Sequence, residues 1–395
     1  MKINIKNYLL YSSVFAIFSE GFFINYIIDW RLLYLIVFVN FFIFYRYYKI
    51  VTHKKFLFII SAILLHAIIN YSIIGIPPNF FISQIIGISI IGLYFYNFFK
   101  IIHIDEIKNF YLKLCVYIAI LGYIFYFIKF NPFAYFQSEN RLMSIFKEPA
   151  HYVVVIIPAC FYFFKNKDYF KFILLFISII LSESSLGYIG CGLMFVLPLL
   201  RLKMILYLFS TLPFVVLIFW LTYQNNSNFK LRIDGTFENI KVIEHGKFKN
   251  DTNLSSYVFL ANLRTALINF SEYPLGTGIG SHHYMYTKIH YYKTRPPEYI
   301  KILDHRFDNS FNANSMFNRM FSEFGIFGFL IVLIFIVKNR YIFNHVDYLT
   351  QGIFIYFLLK LFRDGTYFPP ELFFFIWYFY FTSKPNVNEL NALNE

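Results

Sequence analysis

FLFIISAILLHAIINYSII, residues Phe56 to Ile74, is an apolar run with no Asp, Glu, Lys or Arg, set between Lys54–Lys55 and the turn residues Gly75, Pro77 and Pro78. A helix needs about 20 apolar residues to cross the hydrocarbon core of a bilayer, so this run predicts a transmembrane helix. Runs of similar character recur along most of the chain. Of its 395 residues, 58% are hydrophobic and 14% charged. Soluble domains carry about 25% charged residues, which argues against a water-soluble domain, a disordered chain or a nucleic-acid-binding module. The predicted class is an all-α polytopic membrane protein of about 12 transmembrane helices with one large outward loop. Residues 1–221 would hold the first nine helices, 222–319 the loop, 320–383 the last three, and 384–395 a tail. The first span reads as a retained signal-anchor helix from Tyr8 to Ile28, and the ninth as Met204 to Leu221.

The charge surplus has a topological reading. Lys+Arg total 35 and Asp+Glu 22, for a formal charge of +13. With the N-terminus in the cytoplasm, most short basic loops fall inside, among them Arg46–Lys55, Lys100–Lys108, Lys165–Lys171 and Lys338–Arg340. The short outward turns hold less: Arg31, then Lys129, Arg141 and Lys147, then Arg363. That asymmetry predicts both termini inside. The 222–319 segment then faces outward, and a stretch of this length is expected to fold as a cap. Within it Leu263, Ala266, Leu267 and Phe270 recur at helical spacing, which predicts an amphipathic helix against the membrane core or its interface. Cys115, Cys160 and Cys191 fall in apolar runs without CxxC spacing, so neither a disulfide framework nor a zinc site is expected.

Chemistry-bearing residues cluster in three places. Arg141 precedes Glu148–Pro149 at the mouth of the sixth span. A guanidinium donates paired hydrogen bonds and keeps its charge, which suits a diphosphate. The structural alternative is an interfacial anchor beside a helix start, with Pro149 in the first turn. Arg264 precedes the turn Pro274 to Gly280, where Gly276 and Gly278 could bring backbone close to a ligand. His282 could accept a proton from a sugar hydroxyl, or be an ordinary loop histidine. Arg319 and Glu323 are spaced to pair with each other, and Gly325 and Gly328 to let another helix approach. Arg363 could add a cation at the outer mouth. Candidate catalytic residues are therefore Arg141, Arg264, Glu148 and His282; candidate substrate contacts are Arg319, Arg363, Gly276 and Gly278. No metal-ligand spacing and no Asp-x-Asp is present. Glu20, His66, Gln84, Lys113 and Lys360, inside apolar runs, read as helix-interface or snorkelling residues.

Taken together these motifs resemble the O-antigen polymerase and O-antigen ligase superfamily. Arg141, Phe146, Glu148 and Pro149 are similar to an R-x-x-x-x-F-x-E-P element of many polymerases. Arg264, Pro274, Gly276, Gly278 and Gly280 resemble the family's Arg followed by P-L-x-G-x-G. Glu323, Gly325 and Gly328 resemble the end of its H-N-x-x-L-x-x-x-x-E-x-G-x-x-G element. Counted back from Glu323, Asn314 and Ser315 stand where the ligases carry His and Asn; the neighbouring register puts Ala313 at the histidine. The resemblance implies a polymerase in the bacterial inner membrane. Its donor would be a glycan on undecaprenyl diphosphate, its acceptor a second lipid-linked repeat unit, and its chemistry periplasmic, without metal or cofactor. A chain-length regulator is a candidate partner. An O-antigen ligase and a flippase of the same lipid-linked glycan are the alternatives.

Overall fold

The computed structural model describes residues 4–26, 28–133, 141–199, 213, 216–217, 219–221, 223–225, 227–344 and 347–383. The described chain is helical apart from one short antiparallel hairpin, Phe23–Tyr26 with Ile28–Arg31. Thirteen helices matter here: α1 Ile5–Ala16, α2 Leu32–Tyr47, α3 Lys54–Ile74, α4 Asn79–Ile101, α5 Ile104–Ile128, α6 Pro149–Lys165, α7 Tyr169–Leu181, α8 Ser185–Val196, α9 Ser227–Glu238, α10 Leu254–Glu272, α11 Met316–Lys338, α12 Tyr348–Phe362 and α13 Pro370–Thr382. By length and composition α3, α4, α5 and α11 can each cross a membrane; α2, α6, α7, α8 and α12 are shorter and equally apolar. Most of the expected ninth span and the whole of the tail lie outside the described residues.

The first expected span is corrected. The helix stops at Ala16, and the chain turns before the hairpin instead of running on to Ile28. At the turn the Gly21 N–H donates to the Ile145 carbonyl at 3.0 Å, and a Cβ on Gly21 would come 2.4 Å from that oxygen. Glu20 is thereby placed beside α6 instead of inside a lipid-facing helix.

Helix α6 is the central post. Nearly every residue from Pro149 to Phe161 is buried, against α7, α8 and α12. Pro158 removes one helical hydrogen bond, and Gly352 of α12 packs against the Pro158 backbone; a Cβ there would meet the Pro158 carbonyl oxygen at 2.6 Å. Aromatic residues fill the layer between α4, α5 and α13, with Tyr94, Phe95, Phe98, Tyr111, Phe374 and Tyr378 all buried.

Contacts at the two ends of the bundle sort the loops. At one end Lys6 pairs with Glu106 at 3.3 Å, Asn97 bonds the backbone of Val51, His53 meets Tyr380 at 3.0 Å, and Tyr378 donates to Asp347. At the other end the α1–α2 hairpin, the α5–α6 and α7–α8 connections, the α12–α13 turn and the large loop meet one another. This is the alternation that the basic residues predict.

Two features tie the large loop down. The amphipathic helix exists as α10, but its packed face differs from the expected one. Tyr257, Ala261, Asn262, Thr265, Ala266 and Asn269 are buried, largely against α11, whereas Leu267 is exposed and Leu263 and Phe270 are half-buried. Polar partners on α11 select that face: Asn269 donates to Ser322 Oγ at 2.6 Å. The second feature is a break in α11 at Gly325 (φ 55°, ψ −130°). The Pro274–Gly280 turn fits into it. Gly278 N–H donates to the Glu323 carbonyl at 2.8 Å, and Ile326 N–H donates to the Pro274 carbonyl at 2.9 Å. Gly276 (φ 91°) lies against the same segment, where a Cβ would stand 2.4 Å from the Glu323 carbonyl oxygen.

This clasp predicts an asymmetry among glycines. Gly276→Ala combines a left-handed φ with a backbone clash and is expected to cost about 1–3 kcal/mol. Gly192→Ala, where an added Cβ meets nothing within 4 Å, is the control. Thermal unfolding of the purified protein in detergent should show a lower midpoint for the first and an unchanged or raised one for the second, which replaces a glycine inside α8 by a better helix former; equal midpoints would refute the clasp.

Candidate active site

Two adjoining cavities open where the loops gather. The smaller, of about 190 Å³, is a polar chamber lined by Glu20, Arg31, Tyr34, Lys147, Glu148, His151, Asn309, Asn312, Asn314, Arg363, Asp364 and Glu371 among others. The larger, of about 590 Å³, is an apolar groove walled by Phe176, Ile180, Leu186, Ile189, Phe195 and Phe259, with Arg141 at its edge. Glu148, Asn314 and Arg363 line both. The junction is thus charged, with an apolar trough on one side and a small polar room on the other.

Each wall has a local cause. Glu148 is the N-cap of α6, in extended conformation, with Pro149 in the first helical turn. Three residues on, His151 points from the same helix start into the chamber, and its Nδ1 lies 2.5 Å from Glu20 Oε1. Arg31 ends the hairpin and stands 3.8 Å from the same carboxylate oxygen. Arg363 follows α12, and its guanidinium lies 3.7 Å from Glu148. Burial works to raise the Glu148 pKa, but His151, Arg363 and Lys147 outweigh it and hold the carboxyl below its ordinary value. Behind the chamber Lys360, fully inside the bundle, forms ion pairs with Asp364 and Glu371. Burial opposes ionisation of Asp364 too, yet Lys360 and His151 keep it well below the usual carboxylate range.

The expected site residues divide. Arg141, Glu148 and Arg363 come together at the two cavities. Arg141 also braces the α7–α8 connection, donating to the carbonyls of Ser182 at 3.1 Å and Glu183 at 2.9 Å. Arg264, His282, Arg319, Gly276 and Gly278 line neither cavity. The Arg264 guanidinium donates to the Val242 and Ile243 carbonyls, closing a short helical turn in the loop. Arg319 is buried, bonded to Glu323 at 3.1 Å, the Gly365 carbonyl at 2.9 Å and Gln84 at 3.0 Å, with its guanidinium 4.1 Å from the Tyr367 ring centre. It joins α4, α11 and the α12–α13 turn. Gly276 and Gly278 belong to the clasp. His282 is sealed under α10, its ring between Ser322 Oγ at 2.8 Å and Asn262 Oδ1 at 3.1 Å. His283 stacks on Phe311 and bonds Ser310.

Glu20, expected as a helix-interface or snorkelling residue, lines the chamber, as do His151, Glu371, Asn309 and Asn312, none of them among the expected site residues. One signal was present: Glu148 and His151 are three apart at a helix start, so they share a face. Glu20 carried no such signal, because its place depends on a turn inside an apolar run. Asn314, at the register where the ligases' histidine falls, lies on the rim of both cavities. Its backbone φ is 59°, and its carbonyl accepts from Asp364 N–H at 3.1 Å. Among the described residues no group of three or more His, Cys, Asp or Glu is placed to hold a metal ion.

Residues 170–333 match the family model described as O-Antigen ligase. The match runs from α7 through the large loop to α11, and it places this segment in the O-antigen polymerase and ligase superfamily. No curated protein and no solved structure matches the chain. The match covers less than half of the chain; the apolar helices, four of them long enough to cross a membrane, are those of a multi-pass membrane protein.

The buried histidines give the loop a pH dependence. Burial, with Arg319 and His283 nearby, pushes His282 down to about 3, and burial with Lys293 pushes His290 down to about 4. Both are neutral when folded, while the unfolded chain takes up protons near the ordinary value of about 6.5. Between that value and the folded ones the unfolded state binds more protons, so stability falls as pH falls. Unfolding midpoints should therefore decline from pH 6.5 towards pH 4, less steeply in His282→Gln. An identical slope in the variant would show that His282 carries none of the effect.

Proposed function

We propose that the protein is a polysaccharide repeat-unit polymerase. It transfers a growing glycan from undecaprenyl diphosphate to an incoming lipid-linked repeat unit at the outer face of the bacterial inner membrane. The carrying observation is the junction itself: Arg363 stands between an apolar groove and a polar chamber of roughly monosaccharide size, and Arg141 lines the groove beside it. A lipid-linked donor has that same order of parts, with a hydrocarbon tail, a diphosphate and then a sugar. The groove between α7, α8 and α10 suits the polyprenyl tail, which leaves the diphosphate beside the arginines and the first sugar at the chamber mouth.

The chemistry follows from charge. A diphosphate is a competent leaving group, so the barrier lies in the negative charge that grows on it as the glycosidic bond breaks. Guanidinium groups fixed before the reaction stabilise that charge without reorganising, most strongly where water is excluded. Glu148 orients Arg363 from the start of α6, and Asn314 offers an amide to a sugar hydroxyl. Arg264, Arg319, His282 and the glycine turn serve by holding the loop over the site.

The ligase reading is carried by the family match, but Asn314 stands at the register of the ligases' histidine. A flippase would need a cavity reaching through the spans, whereas these cavities sit at one end. Arg363→Ala and Arg141→Ala should each insert normally and lower transfer about 100- to 1000-fold, as loss of a positioned oxyanion donor does. Surface glycan from such strains should shift from long chains to single repeats. Arg264→Ala should instead lower the unfolding midpoint while leaving turnover per folded molecule close to wild type. Long chains from both Arg363→Ala and Arg141→Ala would defeat the proposal; complete absence of attached glycan in a deletion strain would favour a ligase.

A further inference from the structure

We propose that Glu20 is the group that takes the proton from the acceptor hydroxyl, and that His151 holds it in position. The inference rests on the transferase reading above and adds to it a residue that the polymerase motifs do not contain.

The chamber is lined by the carboxylates of Glu20, Glu148, Asp364 and Glu371. Glu148 faces Arg363 and has a side chain 44% exposed. Both oxygens of Asp364 are taken, Oδ2 by Lys360 and Oδ1 by the Thr366 N–H and hydroxyl. Glu371 leans on Lys360 at 3.7 Å. Glu20 differs. Its Oε1 is held by His151 and lies near Arg31, while Oε2 is buried and has no hydrogen-bond partner. A buried acceptor left unsatisfied costs about 1–3 kcal/mol, so a native site that keeps one invites a donor from outside. Glu20 lines the chamber, and the chamber suits a sugar ring, whose hydroxyls are donors.

Position supplies the second reason. Donor tail and diphosphate occupy the groove side of the Arg363–Glu148 junction. A nucleophile attacking the anomeric carbon in line must come from the side away from the leaving diphosphate, which is the chamber. The acceptor hydroxyl oxygen forms the new bond to the anomeric carbon, and its proton passes to Glu20 Oε2. The bond from that carbon to the diphosphate oxygen breaks, and undecaprenyl diphosphate leaves with the electron pair. His151 Nδ1–H donates to Oε1, which turns Oε2 towards the acceptor; the carboxylate and its partner are oriented as a base and its orienting group are in hydrolases. The premature end of α1 then has a use, since a straight helix through residue 20 would carry this carboxylate away from α6.

The test uses purified full-length protein in nanodiscs with a synthetic lipid-linked repeat unit. Wild type must elongate it; failure there removes the transferase reading itself, and this inference with it. Glu20→Gln keeps the shape and an acceptor for His151. It should lower kcat about 100-fold or more, the usual worth of a positioned base. The acceptor KM and the binding of undecaprenyl diphosphate should stay within about twofold and the unfolding midpoint unchanged. Glu20→Asp should recover part of the rate. A Glu20→Gln enzyme within about threefold of wild-type kcat overturns the proposal, as does one that loses undecaprenyl diphosphate binding in parallel. Should Glu20→Gln fail to fold, the His151 variants decide. His151→Asn retains a donor for Oε1 and should turn over at least about tenfold faster than His151→Leu. Equal rates would remove the positioning role and the proposal with it.

Discussion

The exchange of backbone hydrogen bonds between the Pro274–Gly280 turn and the break in α11 is the constraint on which the site depends. A helix interrupted at Gly325 strands carbonyl and amide groups inside a bundle, where an unpaired one is expensive. Glu323 and Ile326 recover their partners from Gly278 and Pro274, and so the loop is fastened to the helix that closes it. Tyr71 of α3 adds a hydrogen bond to the Ile279 carbonyl at 2.7 Å, and Arg319 binds α4 and the α12–α13 turn to the same helix. With those anchors set, Asn309, Asn312 and Asn314 line the same chamber as Glu148 and His151 at the start of α6. A polar loop is converted into one wall of a chamber.

Charge is distributed to match. The interior of the bundle is aromatic and aliphatic, and its ionisable groups are collected at one end. There Glu20, His151, Lys360, Asp364 and Glu371 compensate one another. Such a cluster is costly to desolvate and is sustained by mutual pairing and by the polar space it encloses. Beside it, among the described residues lining the apolar groove, the charged ones are Arg141, Glu148 and Arg363. That order of surfaces, apolar, cationic and polar, is what the proposed lipid-linked diphosphate sugar would need.

How far the sequence could be read varied with the kind of signal. Apolar runs announce helices because lipid allows the backbone few other ways to satisfy itself, so α2 to α8 and α11 to α13 lie close to where the composition puts them. The sorting of loops to two ends follows from the placement of Lys and Arg. Of the expected site residues, Arg141, Glu148 and Arg363, each at a span's end, line the cavities. Arg264, Arg319 and His282 looked equally chemical, since sequence does not reveal whether a polar side chain ends at a cavity or at a carbonyl. The packed face of α10 was misjudged for a related reason: Asn262 and Asn269 find partners under the helix, which hydrophobic spacing cannot register.

The sequence by itself determined the class of molecule, its helical elements, its two-sidedness and the superfamily motifs, all of which depend on local composition or short spacing. Only the tertiary structure decided where α1 ends, which of the arginines share a cavity, and that Glu20 meets His151 from the far side of the chain. Those outcomes depend on contacts between residues more than a hundred positions apart. They are set by which polar groups can be paired once the helices are packed, and no local pattern encodes that pairing.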